Sequence, residues 1–326
     1  MLSLASLLLG CGLSASAQTQ TVKIDGSSTV FPITEAVAEE FQTEKRGKIR
    51  ATVGVSGTGG GFKKFCRGET DIQNASRPIQ KEGEMAACKK AGIKYFELPV
   101  AYDATVVVVN PGNTFIKEIT TEELKKIWEP AAQGKITKWN QVNPKWPVQE
   151  MKLYGAGADS GTFDYFTEAV VGKAKASRGD YTASEDDNVL VNGVSTDKNA
   201  LGYLPYTYYS ENKDKLKAVA VLNSKGKAVL PSRETVENGS YNPLSRPLFI
   251  YVSQSSYKRP EVKEFVQFYL ENAPKLAEEV KAVPLPETAY ALGKEALAKE
   301  KLGTAFGGHS EVGLRVDELM KKKKSL

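Results

Sequence analysis

The chain has 326 residues, is 41% hydrophobic and 25% charged, and carries a formal net charge of +5. That length allows two domains with packed cores. No interior run is apolar enough to span a bilayer, the mild positive charge falls short of a nucleic-acid footprint, and one histidine with no cysteine cluster offers no metal-ligand set.

In chain order, Leu2 to Leu9 is apolar and leads into Gly10-Cys11, the pattern of a bacterial export signal with a lipoprotein processing site. Residues 1–17 are expected to be that segment, with lipidation of Cys11 or ordinary cleavage near Ala15 or Ala17 as the exit. Either places the protein in the periplasm or on a membrane facing it. Export favours a disulfide between Cys66 and Cys88, the other two thiols, over a pair of reduced core cysteines.

Three runs then stand out: Gly26-Ser-Ser-Thr-Val-Phe-Pro32, Ser56-Gly-Thr-Gly-Gly-Gly-Phe62 and Asp159-Ser-Gly-Thr-Phe163. Apolar residues alternate before each and take a helical period after it, as in Ile33, Val37 and Phe41, or Phe163, Phe166 and Val170. Each therefore reads as a strand end opening onto a helix. A helix start has unpaired N–H donors and partial positive charge, so it suits an anion, although Ser and Thr also cap ordinary structural helices. Three convergent starts suggest a dehydrated tetrahedral oxyanion.

Between and beyond these runs, strands are expected at 70–75 and 93–98, with a helix near 80–91 between them. The run Ala104-Thr-Val-Val-Val-Val-Asn110 reads as a strand buried on both faces, long enough to cross between two lobes. Thr120 with Glu123 predicts a capping box for a helix to Trp128. A second apolar strand, 247–253, precedes an amphipathic helix from Pro260, with Val262, Phe265, Val266, Tyr269 and Leu270 on one face. Two crossing strands predict a discontinuous first lobe, 20–102 plus 250–326, and an inserted second lobe, 103–249, with a ligand cleft at the hinge. Tyr203, Tyr206, Tyr208 and Tyr209 read as a packed strand and turn, and Lys321 to Lys324 as a solvated tail.

The three runs, with Asn74-Ala-Ser-Arg-Pro78 and Pro99-Val-Ala-Tyr-Asp103, follow the order seen in the PstS family, which this chain resembles over nearly its whole mature length. Those proteins are periplasmic or lipid-anchored phosphate receptors of an ABC importer. The resemblance implies an α/β fold of the type II periplasmic binding class, two lobes closing over one phosphate ion, delivery to permease subunits, a monomer and no catalytic step or cofactor. It implies a phosphate site made of Ser28, Thr29 and Val30 from the first run, Ser56, Thr58 and Gly59 from the second, and Ser160, Gly161 and Thr162 from the third.

One departure changes the expected chemistry. Well-known members carry Asp at the position of Arg77 and Arg at that of Ala156, so Arg77 is expected to become the bidentate partner of the ion. The lost Asp also matters, because a carboxylate in a dry cleft accepts the proton of hydrogen phosphate but faces sulfate as one acceptor against another. Asp103 is the favoured replacement and Asp159 the alternative. The competing functions are a receptor for another oxyanion, such as sulfate or molybdate, and a serine hydrolase using Ser160. The hydrolase needs a histidine base, and His309 is the only histidine.

Overall fold

The computed structural model describes residues 20–309 and 311–325, so the expected signal segment and Cys11 lie outside the described residues. Strand β1 (Gln20–Gly26) pairs in parallel with β2 (Ile49–Val53) and β3 (Ile72–Ala75). The carboxyl end of β1 feeds helix α1 (Phe31–Glu44), and that of β2 feeds α2 (Gly57–Phe65). Pro32 suits the first turn of α1, where its missing N–H costs nothing, and Ile33, Val37 and Phe41 form the buried face that the spacing predicts.

Strand β4 (Tyr95–Val109) is buried along all fifteen residues, which span roughly 50 Å at strand rise. Next come α3 (Thr121–Trp128), closed by the predicted Thr120–Glu123 capping box, β5 (Lys152–Ala156) and α4 (Gly161–Val171). Then follow β6 (Thr182–Ser184), α5 (Asp187–Thr196) and β7 (Ala200–Pro205). The chain returns through the fully buried β8 (Ser245–Ser253) to α6 (Pro260–Glu279), α7 (Glu287–Ala298) and α8 (Val316–Ser325).

These strands lie in the order β2-β1-β3-β8-β4-β7-β5-β6. Residues 95–104 of β4 pair antiparallel with β8, and residues 105–109 pair with β7. One long strand thus belongs to both halves of the sheet, and β8 runs beside it from Ala104 back to Tyr95. The junction between the halves is built from two buried strands. The expected lobe boundaries, 102/103 and 249/250, fall inside these two strands.

Four local results refine the sequence reading. The strands expected at 93–98 and 104–110 are one, because Pro99 faces Phe249 where the β8 register shifts between Leu248 and Phe249, and that irregularity tolerates a residue without an N–H. The helix expected at 80–91 is broken: Gly83 has φ +86° in a distorted turn over Lys81–Met85, and only Ala86–Lys90 is α-helical. Glu84, inside that turn, is engaged by Arg77 and by the Gln80 N–H, tertiary and local bonds that outweigh plain helix propensity. Cys66 and Cys88 form the expected disulfide, 22 residues apart. The lysine tail is a correction: Lys323 lies in α8 with its Nζ buried, 2.7 Å from the Glu97 carbonyl and 3.2 Å from its carboxylate.

The tyrosine cluster divides. Tyr203 stacks on Phe166 at 3.8 Å with Trp128 edge-on at 4.8 Å, which is core packing beneath α4. Tyr208 instead reaches across to the first run, its hydroxyl 3.3 Å from the Ser28 carbonyl.

Candidate functional site

The starts of α1, α2 and α4 meet where the two half-sheets join. Neither α1 nor α2 has a side-chain cap, whereas α4 is capped by Ser160, whose Oγ accepts from the Thr162 N–H at 3.1 Å. Close approach of these starts demands glycine. Gly57 sits at φ +74°, and a Cβ there would collide with the Asp159 carbonyl. A Cβ on Gly161 would collide with the hydroxyls of Thr58 and Ser76.

The result is a buried cluster of hydroxyls from both half-sheets. Thr29 Oγ1 lies 3.2 Å from Thr162 Oγ1, and Thr58 Oγ1 lies 3.1 Å from Ser76 Oγ. Ser27, Ser28, Thr29, Thr58, Ser76, Ser160 and Thr162 are all buried. Hydroxyls can turn to donate, so this collection can saturate an oxyanion stripped of water.

The cation in this cluster is Arg246, at the start of β8. Its Nη2 donates to Thr162 Oγ1 at 2.7 Å and approaches Thr29 Oγ1 at 3.4 Å, while Nη1 donates to the Gly161 carbonyl at 2.9 Å. Asp103, opposite it on β4, accepts from Nη2 at 3.0 Å and from Nε at 3.2 Å. Burial still pushes the Asp103 carboxyl above its ordinary range, against the pull of Arg246.

Several expected ligands have other work. Arg77 is correctly placed near the α2 start but is spent on carboxylates: Nε donates to Asp164 at 2.7 Å, and Nη1 and Nη2 donate to Glu84 at 2.9 and 2.8 Å. Burial would lower its pKa, and Glu84 followed by Asp164 more than reverse that, so it stays a cation. Two carboxylates thus neutralise this fork, where the sequence suggested a bidentate partner of the anion. Arg77 instead ties β3 to α4 across the junction. Asp103 is likewise not an open proton acceptor, since Oδ1 takes the Tyr206 N–H at 3.1 Å and Oδ2 holds Arg246. Ser56 donates to Asp25, and the Gly59 N–H goes to the Asp159 carbonyl at 3.0 Å. Asp159 stands at the rim, paired with Lys63 at 2.9 Å.

Sequence reasoning missed Ser76, Arg246, Asp164 and Asp187. Ser76 lay inside a quoted motif beside the more conspicuous Arg77. Arg246 had a signal too, as a lone cation at the mouth of an apolar strand that must be buried. Asp164 and Asp187 sit at ordinary helix-start positions and carry no local signal.

A two-part α/β fold joined by two crossing strands, with hydroxyls and one guanidinium converging at the junction, defines a solute-binding protein of the type II periplasmic class. A family description, the PBP superfamily domain, matches residues 13–273. The chain is 57% identical to the protein SphX of Synechococcus elongatus, over 94% of this chain and 90% of that one. It is 43% identical to the phosphate-binding protein PstS of Staphylococcus saprophyticus, over 88% of each. A solved phosphate ABC-transporter substrate-binding protein of Clostridium perfringens, described as having bound phosphate, superposes with a TM-score of 0.67 at 27% identity, over 82% of this chain and 100% of that one. The chain belongs to the PBP superfamily and, within it, to the PstS family of phosphate-binding proteins.

Proposed function

We propose that this protein binds inorganic phosphate outside the cytoplasm and hands it to the permease subunits of an ABC importer, as a monomer and without a catalytic step. The observation that carries the reading is the convergence of Thr29, Thr58, Ser76 and Thr162 hydroxyls with the Arg246 guanidinium in one buried place fed from both half-sheets. Ser28, Val30, Ser160 and Gly161 complete the wall, with the backbone N–H groups of Ser28, Val30 and Gly161 as further donors; that of Ser160 goes to the Gly157 carbonyl. Residues 20–102 with 250–326, and 103–249, act as the lobes that close.

Charge-assisted bonds of about 1.5–3 kcal/mol each, set against desolvation of the ion and ordering of the lobes, leave roughly −8 to −10 kcal/mol, a micromolar or tighter Kd. No helix among the described residues is long and apolar enough to cross a membrane. Attachment through a lipid on Cys11, or release after cleavage near Ala15 or Ala17, supplies the extracytoplasmic location. Hydrolysis by Ser160 has little support: its Oγ caps α4, whereas His309 lies beside Gln80 and Lys81.

The test is isothermal titration of mature protein, stripped of ligand by partial unfolding and refolding, with phosphate and then sulfate. Tight one-to-one phosphate binding with much weaker sulfate binding supports the reading. Sulfate binding without a phosphate response would replace it with a sulfate receptor.

A further inference from the structure

With Asp103 holding Arg246 and Asp159 at the rim with Lys63, neither carboxylate proposed from sequence has an oxygen to spare inside the site. A third carboxylate does. Asp187, the first residue of α5, is buried at 2% exposure, and its Oδ2 has no hydrogen-bond partner among the described residues. It interacts with the Ser28 hydroxyl of the first run, and the charged groups around it are Asp103, Arg246 and its neighbour Asp186, with Tyr208 near it from the short helix Tyr206–Glu211 that follows β7. A buried acceptor without a donor is costly and calls for a partner.

We propose that Asp187 sets the anion selectivity of the site: as a carboxylate it accepts the proton that hydrogen phosphate carries, whereas sulfate binds only after Asp187 has itself been protonated. This rests on the phosphate-binding reading and adds a residue to it. The proton balance differs between the ions. Monohydrogen phosphate brings its own O–H, which donates to Oδ2, and nothing is exchanged with solvent. Sulfate has no proton, so one must come from solvent onto Asp187 to turn a repulsive acceptor pair into an O–H···O bond. Burial raises the Asp187 carboxyl to about 7, partly offset by the Ser28 hydroxyl. The discrimination against sulfate therefore grows with pH above that value and fades in acid.

The experiment measures phosphate binding, and sulfate binding by competition with phosphate, between about pH 8 and about pH 9.5, where both ions are predominantly dianions. In the wild type, sulfate affinity should fall about tenfold per pH unit while phosphate affinity changes less than about threefold. Asp187→Asn keeps the volume and offers an N–H to either ion, so the phosphate-to-sulfate preference should fall at least about tenfold and lose its pH dependence. Retained wild-type preference in a variant that still binds phosphate overturns the assignment to Asp187. Failure of the wild type to bind phosphate overturns the functional reading instead. Should the variant not fold, the wild type alone decides: displacing phosphate with excess sulfate in weakly buffered solution near pH 8 should take up about one proton per site, and no uptake refutes the proposal.

Discussion

Replacing Arg246 separates support of the fold from contact with the ion. In Arg246→Met the side chain keeps its bulk, but Asp103, its side chain only 1% exposed, loses its cation and retains backbone N–H donors alone, those of Tyr206 and Ala104. Removing one partner of a buried pair costs about 3–5 kcal/mol, a fall in Tm of roughly 5–8 °C for a chain of this size. The Asp103 carboxyl, already raised by burial, rises further without Arg246. A group with a folded pKa above its unfolded value favours folding in acid and loses that contribution as pH rises through the window between the two. The stability gap between variant and wild type should therefore be smallest near pH 4 and widen toward neutrality, as read by urea unfolding. Phosphate affinity should drop by roughly ten- to 150-fold, the equivalent of about 1.5–3 kcal/mol of charge-assisted bonding. The double variant Arg246→Met with Asp103→Asn removes both charges, so it should regain most of the stability and none of the affinity. Calorimetric affinity within about threefold of wild type in the double variant would refute a role for Arg246 at the ion.

Two further outcomes follow from ion pairs at the junction and the carboxyl terminus. Arg77→Gln and Asp164→Asn should each weaken phosphate by about tenfold through poorer closure, and together by little more than either alone, because they share one bond across the junction; additive losses would contradict that. Lys323→Met should leave phosphate affinity unchanged while costing about 2–3 kcal/mol in urea unfolding. Glu97 then keeps Tyr251, Thr304 and the Ala305 N–H but loses its cation. An unaltered transition would return Lys323 to the status of a surface lysine.

Much of this protein is written in local pattern. The period switch after each Gly/Ser/Thr run located β1–α1, β2–α2 and β5–α4, because side-chain direction repeats every two residues in a strand and every 3.6 in a helix. The capping box at Thr120, the crossing strands and the cysteine pair were legible for similar reasons: each depends on residues close in sequence or on very few candidates. The hydroxyls of Thr29, Thr58 and Thr162 came with the motifs that hold them.

Charge assignment was not legible, since it depends on which distant groups meet. Sequence cannot say that Glu84 and Asp164 converge on Arg77, 7 and 87 residues away, and neutralise it. Nor does it say that β8 returns antiparallel to β4, placing Arg246 opposite Asp103 across a separation of 143 residues. Lys323 looked solvated because its neighbours are lysines, until α8 docked it on Glu97. Local pattern carries the three strand–turn–helix units and the family resemblance, but neither the single strand Tyr95–Val109 nor the break at Gly83. Which arginine is neutralised by two carboxylates and which stands among the hydroxyls follows from tertiary packing, because in a low-dielectric interior the role of a charge is set by whichever opposite charge is packed against it.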